Sequence, residues 1–171
     1  MATKKARAPR AGRAPGPAKA LLERAGRLVL KSADGESLDK AVVLLREAAS
    51  KGSGEADYAL GTWYGFGKHL PQNDAKAIKH FKRAARKKYG PAMFNLAFSY
   101  ETGRGLPKDL TRAFSFYVQA AREGDAEAAD SVCRCLYYGI GIARNKPLAE
   151  LFADFIDGTY ARKRKQARSR S

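Results

Sequence analysis

The histidines and cysteines of this sequence do not form a set that could perform catalysis or bind a metal. There are two histidines, His69 and His80, and two cysteines, Cys133 and Cys135. Neither histidine has a serine, cysteine or carboxylate at a motif spacing that would make a nucleophile or a general base. On a helix, two cysteines two positions apart point about 200° apart and cannot easily form a disulfide. Since no CxxC pair or Cys/His ligand set is present either, the sequence predicts no catalytic site, no metal site and no cofactor.

A cluster of basic residues offers a different chemistry, the binding of phosphates or acidic surfaces. Steps of three and four place several of its members on one face of a helix: Lys79, Lys82, Arg83, Arg86 and Lys87. Such a face could neutralise the phosphates of a nucleic acid or an acidic partner surface. It could equally be a solvated helix exterior with cations near the negative end of the helix dipole.

The net charge of +16 is concentrated at the two ends of the chain. Residues 1–31 contain nine Lys/Arg and one Glu, and residues 161–171 contain six Lys/Arg and no acid. Residues 32–160 balance 18 basic against 16 acidic residues. Blocks of like charge usually stay solvated as interaction tails, and residues 1–17 have almost no large apolar side chain. The sequence therefore predicts disordered basic tails over 1–17 and 161–171.

The sequence pattern that predicts helices and loops recurs with a period of thirty-six residues. Four correspondences are Leu60 with Leu96, Tyr64 with Tyr100, Gly67 with Gly103, and Pro71 with Pro107. A fixed period of this length is typical of stacked structural repeats. Within each unit, apolar residues at helical spacing predict a first helix, named here the A helix, and a second, the B helix.

The same pattern predicts where helices and units end. Glycines 67, 103 and 139 fall where the A helix must stop, a place that favours a left-handed backbone. Asn73 and Asp109 are predicted to cap B helices, and Ser37 to cap the helix before them. We expect a degenerate helical hairpin over 18–54, then repeats at about 56–91, 92–127 and 128–158 within 55–160. Cys133 shares the small-residue position of Gly61 and Ala97, so we expect a small buried side chain there.

With these positions in register, the chain resembles the Sel1-like repeat family, a relative of the tetratricopeptide repeat. The residues that carry the resemblance in the two clearest units are Ala56, Leu60, Gly61, Tyr64, Gly67, Leu70, Pro71, Ala77, Ala84 and Ala85, and Ala92, Leu96, Ala97, Tyr100, Gly103, Gly105, Leu106, Pro107, Asp109, Ala113, Ala120, Ala121, Gly124 and Ala128. His69 departs from the family's second loop glycine. The resemblance implies an all-α solenoid, an α/α superhelix of antiparallel helix pairs, that serves as a protein-binding adaptor or scaffold.

Several aromatic side chains occupy A-helix positions that face away from the stripe of Leu60 and Tyr64. The residues assigned to a partner-binding surface are Tyr58, Phe94, Phe98, Glu101, Arg134 and Tyr137. Because A helices line the concave side of related solenoids, the resemblance implies an aromatic-lined groove for a peptide segment. The alternative is that tight curvature buries these rings between neighbouring A helices. Full burial of both Phe94 and Phe98 would remove the groove.

The function expected from these observations is that of a non-enzymatic adaptor that binds a segment or domain of another protein. The alternative is a nucleic-acid-associated protein, held by its basic tails and the basic face of a B helix. No run of eighteen or more apolar residues predicts a membrane span. The absence of a clean signal sequence and of paired cysteines favours the cytoplasm. An Arg-rich, acid-poor start also has features of an organellar transit peptide.

Overall fold

All of the regular structure in the described part of the chain is helical. The computed structural model describes the backbone of residues 16–31 and 35–168, and the side chains of residues 16–30 and 35–157. The eight helices over these residues are α1 (Pro17–Lys31), α2 (Gly35–Ser50), α3 (Gly54–Phe66), α4 (Asp74–Arg86), α5 (Gly90–Thr102), α6 (Leu110–Arg122), α7 (Ala126–Tyr138) and α8 (Lys146–Arg168). The predicted all-α fold is confirmed, with α3, α5 and α7 as A helices and α4, α6 and α8 as B helices.

The core is a series of apolar clusters along the chain. Each helix packs against its neighbours in sequence. One cluster joins α1, α2 and the start of α3, and centres on Leu45 and Leu60. The next joins α3, α4 and α5 around Phe81 and Leu96. The last joins α5 to α8 around Tyr117. A solenoid is expected to bury an apolar interface between each pair of successive units, because each unit contacts only its neighbours.

The same backbone hydrogen bonds recur at the period of the repeat. The amides of Asn73, Asp109 and Asn145 donate to the carbonyls of residues 64, 100 and 136 over 2.8 to 2.9 Å. Gly67, Gly103 and Gly139 end α3, α5 and α7 in the left-handed conformation. Asn73 and Asp109 accept hydrogen bonds from the amides of residues 76 and 112. The predicted loop glycines and B-helix caps are therefore confirmed.

Two helix ends differ from the sequence prediction. Helix α2 begins at Gly35, two residues before Ser37, which therefore lies in its first turn and is not the N-cap. Helix α8 runs to Arg168, through part of the tail predicted to be disordered from residue 161. Residues 161–168 are Ala, Arg, Lys and Gln, which are among the better helix formers, and cations at a helix C-terminus interact favourably with the helix dipole. The predicted tail over 1–17 lies outside the described residues, except for its last two positions.

The second loop glycine of a unit contacts the preceding B helix. A Cβ atom at Gly105 would lie 3.1 Å from the Cβ of Asp74, and one at Gly141 would lie 1.9 Å from the carbonyl oxygen of Leu110. Asp74 and Leu110 are the first residues of α4 and α6. His69 occupies the equivalent position in the unit before, where its ring packs edge-on against Trp63 at 4.6 Å between ring centroids. The departure from glycine thus changes a loop contact and not the fold.

Candidate functional site

The predicted basic face of α4 is divided by the structure into inward and outward residues. Arg83 and Lys87 turn towards the carboxylate of Asp57 on α3, with Arg83 Nε 3.3 Å and Lys87 Nζ 2.7 Å from its oxygens. Lys79, Lys82 and Arg86 remain exposed. Arg83 and Lys87 therefore contribute to packing between α3 and α4, and only part of the predicted basic cluster offers free charge to an outside partner.

Asp57 is the centre of this polar cluster and is fully buried. His80 Nδ1 lies 3.1 Å from the same carboxylate. Lys87 Nζ also donates to the backbone carbonyls of Ala49 at 3.0 Å and Ser53 at 3.3 Å. A buried carboxylate is tolerated only where charged or hydrogen-bonding partners surround it. Sequence reasoning did not single out Asp57, although an acid that stands where the later units have Met93 and Ala129 is a visible signal.

The side chain of His80 contacts residues that belong to the packing of α3 against α4. Its ring stacks on Tyr64 with centroids 5.7 Å apart and planes 14° apart, while its Nδ1 faces Asp57. These two contacts hold the His80 ring between α3 and α4. Within the described residues, no group of three or more His, Cys, Asp or Glu side chains could hold a metal ion.

The six residues assigned to a partner-binding surface fall into three pairs. Tyr58 and Phe94 are partly buried against rings of the same unit, Tyr58 against Phe81 and Tyr89, and Phe94 against Tyr117. Burial raises the pKa of Tyr58. Phe98 and Tyr137, in contrast, keep 46% and 37% of their surface exposed. Full burial of both Phe94 and Phe98 would have excluded the groove. Phe98 is exposed, so this condition is not met.

Glu101 and Arg134 form the third pair, an ion pair between neighbouring A helices. Arg134 Nη2 donates to Glu101 Oε2 over 2.8 Å, and the hydroxyl of Tyr117 donates to the same oxygen over 2.7 Å. The hydrogen bond from Arg134 lowers the pKa of Glu101 and raises that of Arg134. Burial first, and the hydrogen bond to Glu101 second, raise the pKa of Tyr117. One carboxylate therefore connects α5, α6 and α7.

These contacts place four of the six residues in one continuous path across two helices. Phe98 and Glu101 are three residues apart on α5, and Arg134 and Tyr137 three apart on α7, so the members of each pair share a helix face. The Glu101–Arg134 bond joins the two faces. We name Phe98, Glu101, Arg134 and Tyr137 the α5–α7 strip. It presents two exposed rings with a bonded ion pair between them.

A shallow concavity lies at each end of the α5–α7 strip. Phe98 borders one of about 60 Å³ together with Phe66 and Arg104. Arg134 and Tyr137 border another, of about 330 Å³, with Tyr138. Sequence reasoning missed the rings of Phe66 and Tyr138, which are 70% and 68% exposed. The sequence position they share could have identified them. Each is the last residue of an A helix and stands directly before a loop glycine.

The two cysteines differ in burial, and Cys133 departs from the expectation of a small buried side chain. Cys135 is fully buried in the last apolar cluster, whereas Cys133 is only partly buried and borders the larger concavity. Desolvation raises the pKa of both thiols. A raised pKa disfavours the reactive thiolate, so both side chains behave as small packing groups.

The recurring geometry has a direct counterpart among known proteins. The Sel1 repeat model matches the chain four times, at residues 26–53, 54–89, 90–125 and 126–152. The chain belongs to the Sel1 repeat family. The first match falls in the hairpin that the sequence pattern marks as degenerate, and the later ones begin two residues before the predicted unit boundaries. Sel1 repeats generally mediate interactions between proteins.

Solved structures of Sel1 repeat proteins have the same architecture. A protective antigen of uropathogenic Escherichia coli with an SLR fold aligns at a TM-score of 0.77 and 29% identity, over 84% of this chain and 31% of that one. This chain thus spans about a third of the length of that protein. A Sel1 repeat protein from Oxalobacter formigenes aligns at 0.62 and 33% identity, over 72% and 95%. Cysteine-rich protein B of Helicobacter pylori, at 0.52 and 21% identity over 67% and 96%, shares the fold. No curated protein sequence matches the chain.

None of the described helices has the length and apolar character needed to cross a lipid bilayer.

Proposed function

We propose that this Sel1 repeat protein is a non-enzymatic adaptor whose α5–α7 strip binds a segment of a partner protein. The observation that carries the proposal is the partial exposure of Phe98 and Tyr137 on neighbouring A helices, beside concavities that can take side chains. Exposed aromatic residues are enriched in the central, energetically dominant part of protein interfaces.

The ion pair within the α5–α7 strip supports a binding role for a second reason. Glu101 and Arg134 are already bonded to each other and to Tyr117, so their side chains are held in place before a partner arrives. A preorganised surface loses less conformational entropy on binding. Arg134 is 40% exposed and Glu101 19% exposed at their side chains, so Arg134 keeps capacity to donate to a partner carbonyl or carboxylate.

The test is affinity capture from a native lysate with and without nuclease. The double variant F98A/Y137A should lose the captured proteins, because it removes both rings while leaving the buried core unchanged. V43A is the matched control, since Val43 is an exposed apolar residue on α2, outside the strip. Retention of every captured protein by F98A/Y137A would contradict the proposal.

The nucleic-acid alternative gives a different result in the same experiment. Binding through phosphates should be abolished by nuclease and should fall on the order of a thousandfold between low and moderate salt. Binding through the α5–α7 strip should survive nuclease and depend little on salt. The inward orientation of Arg83 and Lys87 reduces the exposed charge on α4 that such binding could use.

A further inference from the structure

The loops that join A helices to B helices form one edge of the solenoid, and this edge is basic. These loops and the first turns of α4, α6 and α8 cover residues 67–76, 103–112 and 139–148. They contain seven basic and two acidic residues. Successive loops lie side by side, because the second loop glycines contact the start of the preceding B helix. We name these three segments the A–B loop edge.

The opposite edge of the same helices is neutral. It holds the loops from B helices to A helices and the first turns of α3, α5 and α7, over residues 50–57, 86–93 and 122–129. These segments balance five basic against five acidic residues. Both edges lie within the residues whose side chains the structure describes. The excess of positive charge on the A–B loop edge therefore belongs to the folded repeats and not to the ends of the chain.

The two acidic residues of the A–B loop edge are already paired. Asp74 bonds Arg104 at 3.0 Å, and Asp109 bonds Arg112 at 3.1 Å. The five other cations are Lys68, Lys76, Lys108, Arg144 and Lys146. None of these five forms an ion pair with a described carboxylate. Their charges are therefore available to an acidic partner.

Two of these cations lie directly beside the α5–α7 strip. Lys146 Nζ is 4.7 Å from the ring centroid of Tyr137. The pKa of Glu101 is lowered first by the hydrogen bond from Arg134, and the charge of Lys108 also contributes. Lys108 is therefore within electrostatic reach of the strip. A partner segment that contacts Tyr137 would also meet the ammonium group of Lys146.

Two of the cations also mark the ends of the helices that carry the strip. A Cβ atom at Gly103 would lie 3.5 Å from the Cβ of Lys108, and one at Gly139 would lie 3.2 Å from the Cβ of Arg144. These glycines directly follow α5 and α7. Lys108 and Arg144 are both exposed. The exposed rings of the strip and the free cations of the loops thus form one surface.

The pattern of charge on this surface favours a protein segment over a nucleic acid. Glu101 lies in the middle of the strip, and Glu150 borders the concavity beside Tyr137. A nucleic acid carries a negative phosphate at every nucleotide, and would have to pass both carboxylates. A peptide can place its acidic side chains opposite the cations alone, which is the complementarity that gives protein interfaces their specificity.

We propose that the partner segment bound by the α5–α7 strip is acidic. Its apolar side chains contact Phe98 and Tyr137, and its aspartate or glutamate side chains pair with Lys108, Arg144 and Lys146 on the A–B loop edge. This inference rests on the proposed function and names the chemistry of its partner. Exposed ion pairs are weak and screened by salt, so the rings supply most of the affinity and the cations select the segment.

The test is a display selection on the full chain with two peptide libraries. One library contains peptides of about sixteen residues, with Trp, Phe, Leu or Met at a few positions and Asp, Glu, Ser, Ala or Gln at the others. The matched library has Lys in place of Asp and Glu. Selected peptides are then titrated at low ionic strength against the wild type, K108E/R144E, F98A/Y137A and K79E/K82E. The last variant is the control, because it changes the net charge equally at two exposed lysines on α4.

The expected result is that only the acidic library yields binders. K108E/R144E should weaken them by about tenfold, because two attractive contacts become repulsive. F98A/Y137A should weaken them at least as much, because it removes the rings. K79E/K82E should stay within about twofold of the wild type, since the surface charge that it reverses lies on another face. If K108E/R144E folds poorly, the neutral variant K108Q/R144Q should give a smaller loss in the same direction.

The outcomes separate this inference from the proposed function. If F98A/Y137A loses the binders but K108E/R144E keeps them, or if the basic library succeeds equally, the strip binds a segment that is not acidic and the inference is overturned. An equal loss in K108E/R144E and K79E/K82E would also overturn it, because total charge would then be the cause. Binders that F98A/Y137A retains would contradict the proposed function itself. Tighter strip-dependent binding of a fifteen-nucleotide oligothymidylate, or strip-dependent dimerisation, would overturn the inference as well.

Discussion

At the scale of single residues, Asp57 is the one buried charged side chain among the described residues. Its carboxylate is fully buried, and a histidine, an arginine and a lysine face it from one side. Removal of one member of a buried charge cluster is costly, because the remaining charges lose their partner inside the protein. The cluster therefore links α4 to α3, and its members depend on one another.

We expect D57A to lower the free energy of unfolding by about 3 kcal/mol, because it leaves three donors without their acceptor. D57N keeps the shape and part of the hydrogen bonding, and should cost about 1 to 2 kcal/mol. Urea denaturation measures both values. E55Q is the control, since Glu55 lies exposed in the same first turn of α3. A D57A variant as stable as E55Q would show that the cluster contributes nothing.

The Glu101–Arg134 pair predicts how stability depends on pH. The pKa of Glu101 is lowered in the folded chain from an ordinary value of 4.5. Its contribution is therefore present above pH 4.5 and is lost as the pH falls through the lowered folded-state pKa. Because Arg134 is 40% exposed, we expect E101Q to cost only about 1 kcal/mol at neutral pH.

The difference in stability between wild type and E101Q should therefore shrink on acidification below pH 4.5. Thermal unfolding of both proteins at a series of pH values checks this. A difference that stays constant between neutral and acidic pH would mean that the ionised carboxylate is not the stabilising species. Y117F, which removes only the neutral donor, should keep a pH dependence because Arg134 still holds Glu101.

The sequence could not predict which basic residues face inward. A helical projection places several basic residues near one another: Lys79, Lys82, Arg83, Arg86 and Lys87. The direction of Arg83 and Lys87 depends on Asp57, which precedes them by 26 and 30 residues and lies in another helix. Long basic side chains can reach back over apolar surface to such a group. Exposure of Phe98 and partial burial of Phe94, two residues of one helix, likewise depend on which neighbour packs over each ring.

At the scale of helices and loops, the close contact between Gly141 and α6 sets the position of the last unit. Gly141 has a positive φ of +72° and leaves no room for a Cβ atom against the Leu110 carbonyl. We expect G141A to destabilise the chain by more than about 3 kcal/mol, since strain and a backbone clash act together. Denaturant unfolding provides the measurement.

G124A separates the two effects. Gly124 also has a positive φ, of +89°, but a Cβ atom there would meet nothing within 4 Å. It should therefore cost only the backbone strain, about 1 to 2 kcal/mol. If G141A and G124A cost the same, the loop moves freely away from α6 and does not position the unit.

The period of thirty-six residues was sufficient to predict helices, loop glycines and B-helix caps, because each depends on local backbone geometry. It was insufficient for Ser37 and for the end of α8. Gly35 and Glu36 extend α2 backwards, and good helix-forming residues carry α8 to Arg168. For residues 161–171, the composition favours two structures at once. The excess of charge favours a solvated tail, and the helix-forming residues favour an extension of α8.

At the scale of the whole molecule, the two polar clusters lie in different units and share no residue. Asp57 joins α3 to α4 and, through Lys87, to the end of α2. Glu101 joins α5, α6 and α7. Substitutions at sites with no shared partners usually have additive effects within about 0.5 kcal/mol. In a solenoid, coupling between units passes only through their shared seams.

We therefore expect the double variant D57N/E101Q to lose the sum of the two single losses, within about 0.5 kcal/mol, in one cooperative transition. Urea unfolding followed by circular dichroism and by tyrosine fluorescence measures the sum and the cooperativity together. Two separate transitions would show that the interfaces between units are too weak to make unfolding cooperative. A deviation well above that margin would show that the two clusters are energetically coupled and not independent.

The position of Lys87 makes the lysines of this region chemically unequal. An amine must lose a proton and leave its hydrogen-bond acceptors before it can react with an acyl donor. Lys79 and Lys82 are exposed and can do so in the folded chain. Lys87 holds a carboxylate and two carbonyl oxygens, and would have to abandon all three. Acetylation at Lys87 would therefore mark chains in which the junction of α2, α3 and α4 has already opened.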